Sequence, residues 1–555
     1  MGERFGKGNV ERIGGLWVLH LKGTSFERGL QHGTLMRYRV RDTVNFYRML
    51  PETLLKRMVP EHSMKMRSLM RLKRYVVHRL SENRDPDALE ETRGLAVGLG
   101  LSPEELGEAS VLADVIQVAG ALAERKRRVG PPVLPGFGCT SAIRETPGGL
   151  LYARNFDFWG AGYWDANPAV VFHEPDHGKA FCSIVSAGIP TGGITAINED
   201  GLAVAVHQHG SRDSSSRGTP VTDIAHSVVR KASTVDEALE VAGGFRATGG
   251  WTIVVAGGSP PGAAVLEMSS EKQQARAMQD HVLVATNYFV DEELGSRELT
   301  ANLSSTLGDH ARFQRALGLL SPSRATTSRM AALLGDHYDV LAGRDRSVGF
   351  SISRITTLSS VVFNLAENKF WVSESTSPAS RGGYVGFDLD AELGGRRSPV
   401  GRLEGGRPPG IHITSAQMRY LDAYKEYVFS GDLNRILVIL GECADLDPDE
   451  PTFPLVEGII RAKVGNLRGA LSSIDRYLAL ETIEAKRPVG LLWRARVLDL
   501  MDRREESVKV YGELAGDSDN PRIITRHASR GRRRQFKESE LAGAMIDFTD
   551  GDTFE

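Results

Sequence analysis

The apolar positions of this chain change period twice. Residues 15–22, GLWVLHLK, alternate as a half-buried strand does. From about Ser25 to Arg128 apolar residues return every three or four positions, the spacing of helices that bury one face. Within that stretch Gly98-Leu99-Gly100 stops one helix, and Ser102-Pro103-Glu104-Glu105 starts the next, with proline where its missing N–H costs nothing. Beyond Gly138 the runs shorten: LLYARNFDF, PAVVFHE, AFCSIVSAG, GITAI, GLAVAVHQH, WTIVVAGG, AAVLEM and HVLVATNYF follow one another with turn residues between them. These read as strands. One amphipathic helix is expected at about Pro220 to Ala242 and another near Ala311 to Leu320, with further strands at SSVVFNL and KFWVSES. Many strands with a few long helices make an α+β layered domain, sheets covered by helices, ending near Leu389.

The segments between these patterns differ in texture. Arg125 to Arg128 is a charge run followed by Gly130-Pro131-Pro132 and Pro135-Gly136, which reads as a solvated linker. Gly394 to Gly410 is rich in Gly, Pro and Arg and reads as a second linker. From 415 to 515 the strands vanish and paired helices are expected. Gly431-Asp432-Leu433 and Gly465-Asn466-Leu467 lie 34 residues apart, the tetratricopeptide (TPR) period, with a plain helical bundle as the alternative. The last segment carries Arg526, Arg530, Arg532, Arg533 and Arg534 and then turns acidic, so a disordered or loosely docked terminus is expected. The expected units are 1–138, mostly helical; 139–390, strand-rich; 391–411, linker; 412–515, TPR-like; and 516–555, a basic then acidic tail.

Composition narrows the classes. Over 555 residues, 68 Lys and Arg against 70 Asp and Glu leave a net charge of −2, and hydrophobic and charged contents of 41% and 25% are those of a globular protein. A strongly basic nucleic-acid binder, a disordered chain and a collagen-like repeat are all disfavoured. No apolar run approaches the roughly 18 residues of a membrane span, and no apolar segment follows the basic residues near the start. Three cysteines, Cys139, Cys182 and Cys443, are too few for a disulfide framework and suit a reducing compartment. A cytoplasmic protein is expected, with neither nucleic acid nor membrane as partner.

Two groups of residues could carry chemistry. His173-Glu174-Pro175-Asp176-His177 matches H-E-x-x-H, but zinc chemistry needs both histidines one turn apart on a helix. Here a β-type run leads in, Pro175 sits in the middle and Gly178 follows, so a hairpin turn is expected and no metal site. His207 and His209 alternate on one strand, with no third ligand at a matching spacing. The sharper feature is Gly138-Cys139-Thr140-Ser141, at the first residues of the strand-rich region. A thiol can attack the preceding carbonyl, and a glycine leaves that carbonyl uncrowded. The freed α-amine, with an ordinary pKa of about 7.7–8.0, can then act as base for the thiol of its own residue. Read from spacing alone, Cys139 serves equally as a small buried apolar residue. Arg154 and Asp157, in YARNFDF, lie on a strand that could pair with the cysteine strand. Alternation puts them on opposite faces unless the strand bulges. A carboxylate to hold the ammonium and a guanidinium to lower the thiol pKa would suit such a nucleophile.

Taken in order, ERGLQHG at 27–33, GCTS, YARNFDF, NEDGLAVAVHQHG at 198–210, ATNYF at 285–289, Arg312-Phe313 and SSVVFN at 359–364 resemble the isopenicillin-N (acyl-CoA:6-aminopenicillanate) acyltransferase family of N-terminal nucleophile (Ntn) hydrolases. The resemblance runs from about residue 15 to 390. It implies an αββα four-layer sandwich, here followed by an all-α TPR-like domain. It implies that Cys139 is a nucleophile revealed by self-cleavage after Gly138, that Asp157 binds its free amine, and that Arg154 lies beside the thiol. It further implies that Asn287 stabilises the oxyanion and that Arg312 braces the site. Bile-salt-hydrolysing relatives carry an asparagine near His207 or Gln208, so Gln208, or His207 in one tautomer, is the candidate second donor or substrate contact. The implied activity is hydrolysis or transfer of the acyl group of an amide through S-acyl-Cys139, with no metal or organic cofactor. The substrate is then a small-molecule or peptide amide, with an acyl-CoA or amine acceptor in the transferase case. The helical repeats would bind a protein partner or a second copy. Two other classes stay open: an inactive scaffold that binds partners through its repeats, and a zinc hydrolase at His173 and His177.

Overall fold

A computed structural model describes residues 2–59, 63–125, 137–190, 192–320, 325–396 and 400–554. The first expected linker, with its charge run, falls almost wholly outside them. Two large sheets dominate. One has ten strands and begins with Glu3–Phe5, Gly8–Ile13 and Leu16–Gly23. Leu16–Gly23 then pairs in parallel with Pro168–Pro175, the one parallel junction in this sheet. The sheet continues through Phe181–Ser186, Thr195–Asn198, Leu202–His209, Gly250–Gly258, Pro261–Met268 and Gln273–Ala277. The other sheet has seven strands, in the order Val282–Ala285, Phe137–Thr146, Gly149–Phe158, Thr357–Asn364, Lys369–Ser373, Tyr384–Asp388 and Val400–Leu403.

Strand alternation sorts the side chains by face. Val18, Val170, Phe172, Ile184 and Val254 of the larger sheet meet Ile143, Tyr152, Phe363, Phe370 and Phe387 of the smaller one in a single buried cluster. The opposite face of the smaller sheet (Leu151, Val284, Val362) packs on Leu320 and Leu334 of the helices Leu303–Leu320 and Thr327–Leu334. The outer face of the larger sheet is covered by helices that include Ser25–Met36, Pro86–Leu99 and Val221–Lys231. The glycines of ERGLQHG have a steric role here. A Cβ on Gly29 would stand 2.0 Å from Glu91 O and one on Gly33 2.4 Å from Leu95 O, so the helices Ser25–Met36 and Pro86–Leu99 cross backbone to backbone.

Three segments differ from the sequence reading. The helix expected at 220–242 is two, Val221–Lys231 and Val235–Gly243, because Thr234 caps the second through Glu237 N. The stretch read as a second linker contains Val400–Leu403, an edge strand of the smaller sheet. The tail is not loose. After the helix Arg522–Arg533 it forms a buried hairpin, Met545–Asp547 with Asp552–Phe554. Asn302, Arg354 and Ser304 receive its three aspartates, and Tyr420, Tyr424 and Tyr427 surround Phe548. Charge density alone reads as solvation; complementary partners far away in sequence reverse that.

The C-terminal region is helical, in three hairpins: Ile411–Phe429 with Leu433–Leu446, Thr452–Lys463 with Leu467–Leu480, and Arg487–Leu500 with Arg504–Gly516. Gly431 and Gly465 take positive φ (74° and 82°) at the first two turns, a conformation that glycine adopts without strain. Among the described residues no helix is long and apolar enough to cross a membrane.

Candidate active site

Cys139 lies on the strand Phe137–Thr146, which pairs with Gly149–Phe158 in unbroken register: Gly138 faces Asp157, Cys139 faces Phe156, and Ser141 faces Arg154. Because side chains alternate, Cys139 and Arg154 share one face and Asp157 takes the other. The only register shift nearby lies in the next strand, between Thr357 and Ser359. Arg154 Nη2 stands 3.6 Å from Cys139 Sγ. The same guanidinium crosses to the facing sheet, donating to Val206 O at 2.8 Å and to Ile194 O. The arginine is therefore fixed by two carbonyls and lies beside the sulfur.

Asn287 and Arg312 converge on the backbone of Cys139. Asn287 Oδ1 accepts from Cys139 N at 2.6 Å and from Arg312 Nη2 at 3.1 Å, while Asn287 Nδ2 donates to Gln208 O at 3.0 Å. Arg312, wholly buried on the helix Leu303–Leu320, donates to Cys139 O at 2.6 Å and pairs with Asp309. Both peptide groups of the cysteine are thus held by side chains from outside its own hairpin.

On the other face, Asp157 Oδ1 accepts from Thr357 Oγ1 at 2.7 Å. Asp157 Oδ2 is buried with no hydrogen-bond donor among the described residues. It lies against Gly138: a Cβ built on that glycine would be 3.2 Å from Asp157 Oδ2 and 2.9 Å from Arg354 Nη1. Any larger residue there would displace one of these groups. Burial pushes the Asp157 carboxyl up, against the pull of Arg354, Arg312 and Thr357. Burial also pushes the Cys139 thiol up, and Asp157 adds to that rise, while Arg154 opposes it. The cysteine is a protonated thiol at neutral pH.

A cavity of about 100 Å³ opens beside this cluster, and Gly138, Asp157, Asn287, Gln208, Arg354 and Asp550 are in its wall. Cys139 sits behind that wall, fully buried. Gln208 Nε2 donates to Ala113 O at 3.1 Å. His207 points between the sheets, where Nε2 meets Ser141 Oγ at 2.8 Å and Ser141 Oγ meets Tyr152 Oη at 2.8 Å. Burial pushes the His207 pKa well down, so the ring is neutral. The sequence reading missed Thr357, Asp309, Arg354 and Asp550. Nothing local marks the first three. For Asp550 a signal existed, since Asp550-Gly551 between MIDF and DTF is a hairpin turn signature.

The H-E-x-x-H match forms no metal centre. His173 ends up on the strand Pro168–Pro175, with Nε2 on Ser183 Oγ at 2.9 Å and Nδ1 3.0 Å from Glu91 Oε1. His177 lies beyond the strand end, with no helix to bring it beside His173. Among the described residues no group of three or more His, Cys, Asp or Glu side chains is placed to hold a metal ion.

Comparison with known proteins locates the family signal. The model of the acyl-coenzyme A:6-aminopenicillanic acid acyl-transferase family matches residues 144–377, beginning just after Cys139. The resemblance drawn from the motifs stands over that region. An uncharacterized protein of Archaeoglobus fulgidus is 25% identical over 340 residues, covering 52% of this chain and 53% of its own. The chain thus spans about half the length of that curated relative. Among solved structures, a variant of conjugated bile acid hydrolase from Clostridium perfringens matches at 14% identity and a TM-score of 0.32, covering 49% of this chain and 100% of that one.

Proposed function

We propose that the protein is a self-processing cysteine Ntn enzyme that hydrolyses or transfers the acyl group of an amide, built on a four-layer αββα core. The observation that carries this is the vacant Asp157 Oδ2 beside Gly138, one residue from a thiol that has a guanidinium next to it. The acyl-transferase family match over 144–377 supports the same chemistry. In maturation Cys139 Sγ attacks the Gly138 carbonyl, the C–N bond breaks, and a thioester and a free α-amine form. Water then hydrolyses the thioester, leaving a Gly138 carboxylate and the thiol. The new ammonium has a carboxylate oxygen waiting at Asp157 and an acceptor at Asn287 Oδ1.

In turnover the α-amine takes the thiol proton, the sulfur attacks the substrate carbonyl, and the departing amine carries that proton away. Arg154 favours the thiolate, and Asn287 Nδ2, which now donates to Gln208 O, is the donor assigned to the developing oxyanion. Water or an amine acceptor then takes the acyl group from sulfur. An acyl donor, joined in the transferase case by an amine acceptor, is the partner this chemistry requires, without a metal or organic cofactor. The TPR-like reading of the helical hairpins belongs to the same proposal.

The intact mass of the purified protein tests the reading. Wild-type chain should appear as 1–138 and 139–555, held together because Leu16–Gly23 is a strand inside the larger sheet. Cys139→Ala should stay one chain. A wild-type protein that remains at 60.5 kDa after long incubation rules the mechanism out.

A further inference from the structure

The cleft wall is not made by the sheets alone. Tyr424, Asp547, Asp550 and Phe554, all from beyond residue 411, line it. The C-terminal hairpin is bound into this position at several points. Asn302 Nδ2 donates to Asp547 Oδ2 at 2.9 Å, Ser304 Oγ to Asp552 Oδ2 at 2.9 Å, and Ile546 N to Tyr427 Oη at 3.0 Å. Lys486 Nζ, from the helical region, donates to Asp550 O at 2.9 Å. The Asp550 carboxylate, 6% exposed, takes Arg354 Nη2 at 2.5 Å. The other end of that guanidinium, Nη1, is the atom that crowds Gly138.

We infer that Asp550 is a positioning residue for the Gly138–Cys139 junction, acting through Arg354. Four carboxylates act on Arg354, Asp550 most strongly and then Asp157, Asp309 and Asp547, and of these Asp550 holds its hydrogen bond. Held by Asp550, it leaves Asp157 Oδ2 open for the amine of Cys139. Freed from Asp550, it pairs with Asp157, and the ammonium loses its carboxylate and keeps Asn287 Oδ1 alone. The helical region and the tail therefore complete the site from outside the strand-rich core, and a chain ending at 411 would lack one wall of the cleft. The catalytic part of this assignment rests on Cys139 being the nucleophile; the structural part does not.

The test uses full-length Asp550→Asn and Asp550→Glu chains made in a cell-free reaction. One readout is the rate of conversion into 1–138 and 139–555 by intact mass. The other is the rate of iodoacetamide labelling at Cys139, Cys182 and Cys443, mapped by peptide mass. Asp550→Asn is expected to slow conversion about tenfold, the size of effect seen along coupled networks. It should change Cys139 labelling severalfold while Cys182 and Cys443 keep their wild-type rates, and Asp550→Glu should restore most of both. Wild-type conversion and labelling in Asp550→Asn would overturn the assignment. So would equal acceleration at all three cysteines, which reports general loosening. If the wild-type chain itself never converts, the self-cleavage reading fails, and the labelling comparison alone decides the positioning role.

Discussion

Two half-buried glutamates, Glu91 and Glu298, show how differently this molecule treats the same side chain. Glu91 lies between the helix Pro86–Leu99 and the larger sheet, with Arg28 Nη2 2.7 Å from one oxygen and His173 Nδ1 3.0 Å from the other. Burial alone would raise its carboxyl, but Arg28 foremost, then His173 and His226, hold it well below the usual range. Glu298 lines the cleft beside the proposed nucleophile. Burial pushes it up to about 9, and the nearby Asp309 and Glu267 add to the rise. One carboxyl is an ion inside a complementary cluster; the other is a neutral acid on a cavity wall. Buried charge by itself therefore marks no site. What sets the proposed site apart is an acid held neutral on a cavity wall.

The largest stability effect expected from this contrast is at the closed cluster. Arg28→Ala would leave the half-buried Glu91 with His173 and His226 but without its main partner, a loss of about 2–3 kcal/mol, below the full cost of an unpaired buried charge. Urea unfolding should show it, while turnover per folded molecule stays at the wild-type value. A variant as stable as the wild type would mean that Glu91 is not held as an ion.

The matching change at the cleft acts on rate. Asn287→Ala is expected to lose roughly 10²–10³ in turnover of an N-acyl amide, the usual cost of one oxyanion donor. Its unfolding midpoint should move far less than that of Arg28→Ala. Equal damage to stability and rate would erase the distinction between the two regions.

The pH dependence of the two regions has opposite sign. His32, beside the closed cluster, has its pKa pushed down to about 4, by burial first and by His173 next. The unfolded chain binds that proton near pH 6.5, so the contribution is present above 6.5 and is lost as pH falls toward 4. Asp309, in the cleft wall, is raised to about 6 by burial. Its contribution is present below about 3.8 and is lost as pH rises through 6. His32→Gln can still accept from Gly188 N, the bond His32 makes at 2.9 Å. Between pH 6.5 and 4 it should flatten the acid-side loss, by up to about 1.4 kcal/mol per pH unit. Urea midpoints across that range decide it, and an unchanged slope would place the acid sensitivity elsewhere.

What the sequence made legible follows the range of the interactions. Alternation along YARNFDF placed Arg154 and Asp157 on opposite faces, and the register of the strand pair has them so. The family resemblance, not local pattern, set Asn287 and Arg312 beside Cys139 and Arg154, and their side chains do converge on that cysteine. The strands before residue 14, the parallel pairing of Leu16–Gly23 with Pro168–Pro175, and the return of the tail to Arg354 were not legible. These depend on pairing between segments with no local signature of each other. An acidic tail and a solitary arginine look solvated until the fold sets them 2.5 Å apart.

The smallest expected effect is the sharpest check on the neutral acid. If Glu298 is protonated at pH 7, Glu298→Gln replaces one uncharged, similarly shaped side chain by another. Stability at pH 7 should then change by no more than about 0.5 kcal/mol, the range of substitutions that disturb no charge or core packing. Above pH 9 the wild type must ionise Glu298 against burial and the charges of Asp309 and Glu267, whereas the glutamine has nothing to ionise. A group whose folded pKa is raised loses its contribution as pH rises through that value, so the variant should become the more stable of the two there. Thermal midpoints of both proteins at pH 7 and pH 10, recorded side by side, give the comparison directly. A variant clearly destabilised at pH 7, in the manner of Arg28→Ala, would show Glu298 to be an ion with a partner, and the two glutamates would no longer differ in kind.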